Sequence, residues 1–344
     1  MIAGPSTVCA IRAGALFCWG ANIEGNLGDG TTTSRATPQR VVLSAPVRAA
    51  HVGLSYTCAL LDGGSAWCWG TLNRDNGTSV MDAHPSPVSS TSSAQWLSDG
   101  TGGFACVAQA SRSRLCWGEA AGYYGLPDAN PDTSLAARDV PGARDARQIS
   151  GGDSFACQIR PTGNVACAGL NRSGQLGDGT LTDRGTYSDV VGLPNACTQV
   201  GAAGNGSACA LCSGRVHCWG NNRDGQLGDG TAENRSTPIE VDGLSGTTAI
   251  AVGRRRVCAL SANGDLMCWG SNDHGGIGDG TTTQRRTPTL VQSLPSASEV
   301  AVGDHFTCAN TVDGIYCWGN NDLGEMGDGT FGGDRLLPGK VAIP

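Results

Sequence analysis

One phrase recurs along the chain. Residues 18–38 read CWGANIEGNLGDGTTTSRATP, 218–238 read CWGNNRDGQLGDGTAENRSTP, and 268–288 read CWGSNDHGGIGDGTTTQRRTP. The glycine that closes each hairpin stands at Gly20, Gly70, Gly118, Gly169, Gly220, Gly270 and Gly319, in steps of 48 to 51 residues. A fixed period of that length marks a repeat architecture, in which each unit buries its apolar face only against its neighbours. Seven such units span all 344 residues and leave no linker or second domain, so a single domain over 1–344 is expected.

Each unit has the same order. A stretch of small apolar residues ends in glycine, as in TAIAVG (248–253). A short run with the first cysteine follows, as in YTCALL (56–61). A turn built on DGG, NGD or SG leads to the run with the second cysteine, SAWCWG (65–70). A long polar loop with GDGT then precedes a run starting near TPxxV. Glycine-containing turns between β-favouring runs read as hairpins. The chain holds 53 glycines and 15 prolines with only 15% charged residues, which suits strands and tight turns rather than helices. Each unit therefore predicts a four-stranded antiparallel meander, the size of a propeller blade. A solenoid would need atypical capping units. Here the chain opens on MIAG without a preceding TPxxV run and ends on LPGKVAIP (337–344), a run without a continuation. The expectation is an all-β, seven-bladed β-propeller of four-stranded antiparallel blades, closed by pairing of the N- and C-terminal segments, which would cover both sheet edges.

The phrase DGxxxCWGxNxxGQLGDGT resembles the regulator of chromosome condensation repeat family, whose members are seven-bladed propellers. Units 1, 5, 6 and 7 match it closely. Unit 4 keeps NRSGQLGDGTLTDR (171–184) but has Ala168 in the tryptophan position, and units 2 and 3 keep only the cysteine hairpin. The resemblance implies the fold. For function it implies little, because roles in that family range over nucleotide exchange, light sensing and enzyme inhibition.

The sixteen cysteines are unusual for a reducing compartment. Seven pairs sit on the two arms of one hairpin each: Cys9–Cys18, Cys58–Cys68, Cys106–Cys116, Cys157–Cys167, Cys209–Cys218, Cys258–Cys268 and Cys308–Cys317. Residues equidistant from a turn face each other across the ladder within disulfide reach. Gly63 is the midpoint of Cys58 and Cys68. Cys197 and Cys212 obey the same rule about the loop AGNGS (203–207). Eight intrachain disulfides are expected, with buried thiols as the bland alternative. Zinc would need CxxC pairs with nearby histidines, which are absent. Oxidised cysteines place the protein outside the cell, at its surface or in a periplasm, although the opening MIAGPSTVCA has no signal-peptide pattern. No run of 18 apolar residues is present, so no membrane insertion is expected. The net charge of −7 argues against a nucleic-acid partner.

GDGT recurs at Asp29, Asp178, Asp229, Asp279 and Asp328, each followed by an arginine: Arg35, Arg184, Arg235, Arg285 and Arg335. Asp-Gly is turn chemistry. Calcium is the sharper reading, but the DxDxDG spacing is missing and no metal is expected.

In a meander blade the loops after strands one and three share one face, and variable loops on a rigid scaffold carry binding. Units 2 and 3 drop GDGT and bring in Met81, His84, Tyr123 and Tyr124, with Trp96 outside the repeat. Tyrosines of this kind anchor protein contacts, while drift of a degenerate repeat explains them equally. Arg254, Arg255 and Arg256 in GRRRVC (253–258) form the second departure. They either hold an anionic group together or form a solvated charge run. The five histidines are scattered, and no catalytic motif or cofactor site stands out. The expected function is non-enzymatic recognition of a protein through one propeller face, enzyme inhibition being one version. A carbohydrate-binding lectin or cell-surface scaffold is the alternative, and an enzyme with a site at the channel mouth comes last.

Overall fold

The computed structural model describes residues 1–73, 79–100, 104–118, 138–244 and 246–343. Its strands form seven sheets in chain order, each an antiparallel meander of four strands. Blade 6 is typical, with strands Thr247–Val252, Arg256–Ser261, Leu266–Gly270 and Arg285–Leu290 running from the channel outward. Asp99–Gly100 adds a parallel strand to the inner edge of blade 4, against Ser150–Gly151. Among the described residues the only helix is the 3-10 turn Pro141–Ala143.

The cysteine spacing gives the hairpin register correctly. Cys9 pairs with Cys18, Cys58 with Cys68 and Cys258 with Cys268 directly across the ladder. All sixteen cysteines are bonded, in the eight expected disulfides, with no free cysteine. Their Cα atoms lie 3.8–4.2 Å apart, the separation of a close cross-strand pair. Seven tie the second strand to the third. Cys197–Cys212 ties the innermost strand of blade 5 to the second.

These bonds lie in the layers between blades. The Cys209–Cys218 pair packs with Leu211 and Val216 of its own blade 5 and with Trp269 of blade 6. The same arrangement puts Trp69 beside Cys9–Cys18, Trp219 beside Cys157–Cys167 and Trp318 beside Cys258–Cys268. Each indole is fully buried, worth about 3 kcal/mol in area alone. Its N–H donates to a carbonyl in the long loop of the preceding blade: Trp219 to Gln175, Trp269 to Gln226 and Trp318 to Gly276, each at 2.9 Å. Gly228 shows why the loop reads LGDG. A Cβ there would lie 2.8 Å from Trp269 Nε1, and its φ of +77° favours glycine. The repeated phrase is thus one interlock written in two halves, the tryptophan serving one blade and the loop receiving the tryptophan of the next. Trp117 is the exception; its Nε1 finds no acceptor among the described residues, and the unit before it lacks the LGDG phrase.

The ring closes differently from the expectation. Ile2–Ala3 pairs within blade 1, and Arg335–Lys340 within blade 7, so no sheet contains both chain ends. Repeat and blade are in phase. The apparently missing strand is supplied by MIAG itself, and the last PxxV run completes its own blade. Closure comes from packing of blade 7 against blade 1. Trp19 joins Phe306, Cys308–Cys317, Met326 and Val341 in one buried cluster. Its N–H reaches the Glu325 carbonyl at 2.9 Å, and the Met1 ammonium meets Glu299 at 2.7 Å.

Candidate functional site

The long loops that crown one face are rigid for a local reason. In blade 5, Asn222 Oδ1 accepts from Leu227 N while its Nδ2 donates to Asp229 and Thr231. Asp229 Oδ1 accepts the Thr231 amide and hydroxyl, and Oδ2 takes the Arg235 guanidinium at 2.8 Å. Blades 1, 4, 6 and 7 repeat the Asp–Arg pair at Arg35–Asp29, Arg184–Asp178, Arg285–Asp279 and Arg335–Asp328. Burial raises the Asp229 pKa, but Thr231 and Arg235 outweigh it and hold it at about 2. Each carboxylate is committed to its own turn, and among the described residues no cluster of three metal-type ligands occurs.

The inner loops of the same face ring the channel mouth. Here the arginine triplet divides. Arg256 does not project with its neighbours. It is 1% exposed, its Nε donates to Ser271 O at 2.9 Å, and burial pushes it down to about 10. Its guanidinium fills space left by Gly276, where a Cβ would sit 2.3 Å from Cζ. Gln175 and Gln226 occupy the same place in the loops of blades 4 and 5. Arg254 and Arg255 do reach the face, but carboxylates of neighbouring blades already hold them. Arg254 crosses blade 5 above Gly204 to Asp153 of blade 4 at 2.7 Å, and lies 3.6 Å from Asp304 of blade 7. Arg255 grips Asp224 of blade 5 through two bonds of 2.9 and 3.0 Å and adds Asp273 at 2.8 Å. Burial raises the pKa of both Asp153 and Asp304. The triplet is therefore a brace across four blades rather than an anion cradle.

Beside this brace stand His274 and His305, their rings 4.9 Å apart, with His274 on Asp334 at 3.0 Å. Glu325 lies beneath, 1% exposed, accepting the Leu323 amide at 2.9 Å. Burial pushes its carboxyl up to about 7. Sequence reasoning missed Asp153, Asp224, Asp304 and Glu325. The acids in GDS (152–154) and GDH (303–305) sit at the same repeat position as Arg254, and that shared position was the available signal.

Of the remaining candidates, His84 is exposed on the outer strand of blade 2, beside Asp82. Trp96 is half-buried between blades 3 and 4, with the Arg114 guanidinium 5.5 Å from its ring centre, and is a packing residue. Tyr123 and Tyr124 lie outside the described residues. The channel has a volume of about 240 Å³ and is lined by inner-strand residues such as Val200, Val252 and Gln199. Gln199 exchanges two 2.8 Å bonds with the Ile250 backbone. Exposed apolar side chains occur on the looped face at Ile23 (66%), Leu181 (63%) and Phe331 (57%).

These features define a repeat-built propeller with a rigid, loop-crowned face. Three stretches, residues 13–60, 213–260 and 263–309, match the regulator of chromosome condensation (RCC1) repeat. The mitochondrial RCC1 domain-containing protein RUG3 of Arabidopsis thaliana is 27% identical over 268 residues, 71% of this chain and 58% of that protein. The regulator of chromosome condensation of Drosophila melanogaster is 34% identical over 117 residues, 33% of this chain and 21% of that protein. The chain thus spans less than two thirds of these relatives' length. Among solved structures, yeast RCC1 (Prp20) bound to Kap60 superposes with a TM-score of 0.82 at 21% identity, covering 98% of this chain and 85% of that one. Human WBSCR16 gives 0.81 at 21% identity over 96% and 95%. These likenesses confirm the fold.

Proposed function

We propose that this propeller is a non-enzymatic recognition module that binds a protein partner through its loop-crowned face, in an oxidising compartment outside the cell. The observation that carries the reading is that exposed Ile23 and Phe331 stand on adjacent blades in otherwise polar loops of the same face. Apolar anchors inside a polar rim are the anatomy of a protein interface. The turns beneath them are held by the Asn–Asp–Arg networks, so little ordering is lost on binding. Related propellers support a protein-binding role, since yeast RCC1 (Prp20) has been seen with Kap60. The eight disulfides support the compartment.

Proximity labelling in the source organism tests the partner. Proteins labelled by the native chain should be lost with Ile23→Glu plus Phe331→Glu and kept with Val42→Glu, an exposed residue of the opposite face. Equal labelling by all three refutes the assignment of the face. Mass spectrometry of protein alkylated on isolation tests the compartment, and a set of free thiols would exclude it.

A further inference from the structure

The outermost strand of each blade is a sheet edge, and a single bond fixes which way its backbone points. Each runs into a valine whose N–H donates inward to the third strand, as Val241 does to Val216 O at 2.9 Å and Val190 to Val165 O at 3.0 Å. Successive residues of a strand alternate the side on which they bond, so the residue three before the valine aims its N–H outward, at the free edge. That residue is Pro38, Pro85, Pro238, Pro288 and Pro338 in blades 1, 2, 5, 6 and 7. Proline has no N–H to offer there and blocks the addition of a further strand. In blade 4 the residue is Tyr187. In blade 3 the position is 137, outside the described residues.

The Tyr187 ring turns into the molecule, 3.3 Å from where a Cβ on Gly142 would sit, and leaves its backbone at the edge. The start of this edge is bare as well. In blades 1, 2, 5, 6 and 7 the outward carbonyl two residues before the proline accepts a glycine amide from the preceding long loop, as Ser236 O does from Gly179 N at 3.0 Å. The equivalent Gly185 O receives none among the described residues. Gly185 and Thr186 are both exposed.

We infer that the outer strand of blade 4, Arg184–Asp189, is an interaction edge that pairs antiparallel with the same strand of a second copy of this chain. The strand itself argues for that occupant. Its outward-bonding residues are Gly185, Tyr187 and Asp189, spaced evenly about Tyr187. A two-fold axis there sets Tyr187 against Tyr187 and Gly185 against Asp189, and every outward N–H and C=O of the three finds a partner. Between them Thr186 faces Ser188, a favourable hydroxyl pair, and no like charges stand opposite each other. A two-fold contact also closes on itself, so pairing stops at two copies.

Sedimentation velocity of the full chain between about 1 μM and about 1 mM should show a monomer–dimer equilibrium, weak because the contact is short. Hydrogen–deuterium exchange at the two ends of that range should slow in residues 184–190 at the higher concentration. Tyr187→Pro gives blade 4 the residue found in five other blades. It should weaken the dimer at least about tenfold, through loss of one hydrogen bond per copy and the block to close approach. That change also removes a buried ring, so charge at Gly185 supplies a second test, at a place where an added Cβ meets nothing within 4 Å. Gly185→Glu would face Asp189 of the second copy and should weaken the dimer about fivefold, while Gly185→Lys should strengthen it by a similar factor. A chain that stays monomeric at about 1 mM overturns the proposal. So does a dimer indifferent to Tyr187→Pro or to both changes at Gly185, or one that forms without slower exchange in 184–190.

Discussion

Glu325 stands in the loop of blade 7 where Gln175 and Gln226 stand in blades 4 and 5, and all three accept a loop amide at 2.9 Å. Replacing it with glutamine keeps shape and hydrogen bond and removes only the charge. Burial raises its pKa from 4.5 to about 7. The folded state therefore favours the protonated carboxyl. That contribution is fully present below about pH 4.5 and is lost as pH rises through about 7. Each pKa unit is worth about 1.4 kcal/mol, so ionisation costs the fold roughly 3 kcal/mol at most, and about 2 after local relaxation. For a chain of this size, with an unfolding entropy of about 2 cal/mol/K per residue, 2 kcal/mol corresponds to about 3 °C in Tm. Glu325→Gln should thus raise Tm by about that amount near pH 8 and leave it unchanged near pH 4.5. Scanning calorimetry of both proteins at matched scan rate measures the difference. A gain that is the same at both pH values, or a loss near pH 8, refutes the reasoning, because either would mean that the carboxyl is not held neutral by its surroundings.

Four further outcomes follow from the interlocks. Trp219→Phe and Trp269→Phe should each cost about 1–2 kcal/mol more than Trp117→Phe, whose indole N–H leaves no partner behind; urea midpoints compare them. Cys197→Ala plus Cys212→Ala opens a 15-residue loop and should lower stability by about 3 kcal/mol, measured by denaturant titration without reductant. Asp229→Asn should flatten the acid limb of the stability curve. The wild-type carboxylate, held at about 2, contributes above about pH 4 and fades as pH falls toward 2, by about 1 kcal/mol once solvent screening is allowed for. Gly276→Ala should destabilise by about 1 kcal/mol, because its methyl displaces the buried Arg256 guanidinium, and Arg256→Ala in the same chain should recover part of the loss, a coupling that a double-mutant cycle reads.

The blade count, the strand order and every disulfide were legible because they depend on spacing alone. A hairpin's register follows from the distance of each cysteine to the turn, and Cys197–Cys212 yielded to the same arithmetic. Closure was misread because the phase of a repeat is invisible without knowing where a sheet begins. MIAG reads as the tail of a first strand, and Ile2 and Ala3 do pair with Cys9 and Val8, so blade 1 was already complete without the C-terminal run. The arginine triplet failed for a different reason. Successive residues in a strand point to opposite faces, so Arg256, the first residue of its strand, turns inward where Arg255 turns out. What receives it is Gly276, twenty positions later, a glycine that looks like any other in a loop phrase. The partners of Arg254 lie in blades 4 and 7, and no local pattern joins residues 153, 254 and 304.

The hand-over of each indole to the loop behind it has a consequence for how such a chain drifts over generations. The two halves of one contact are written in different units, so neither half is free to change by itself. Unit 3 lacks the LGDG phrase, and unit 4, whose tryptophan would dock on it, carries Ala168. Unit 2 lacks the phrase as well, and Trp117 of unit 3 has its N–H unmet among the described residues. A unit without the phrase thus leaves its mark on the next unit along rather than on itself.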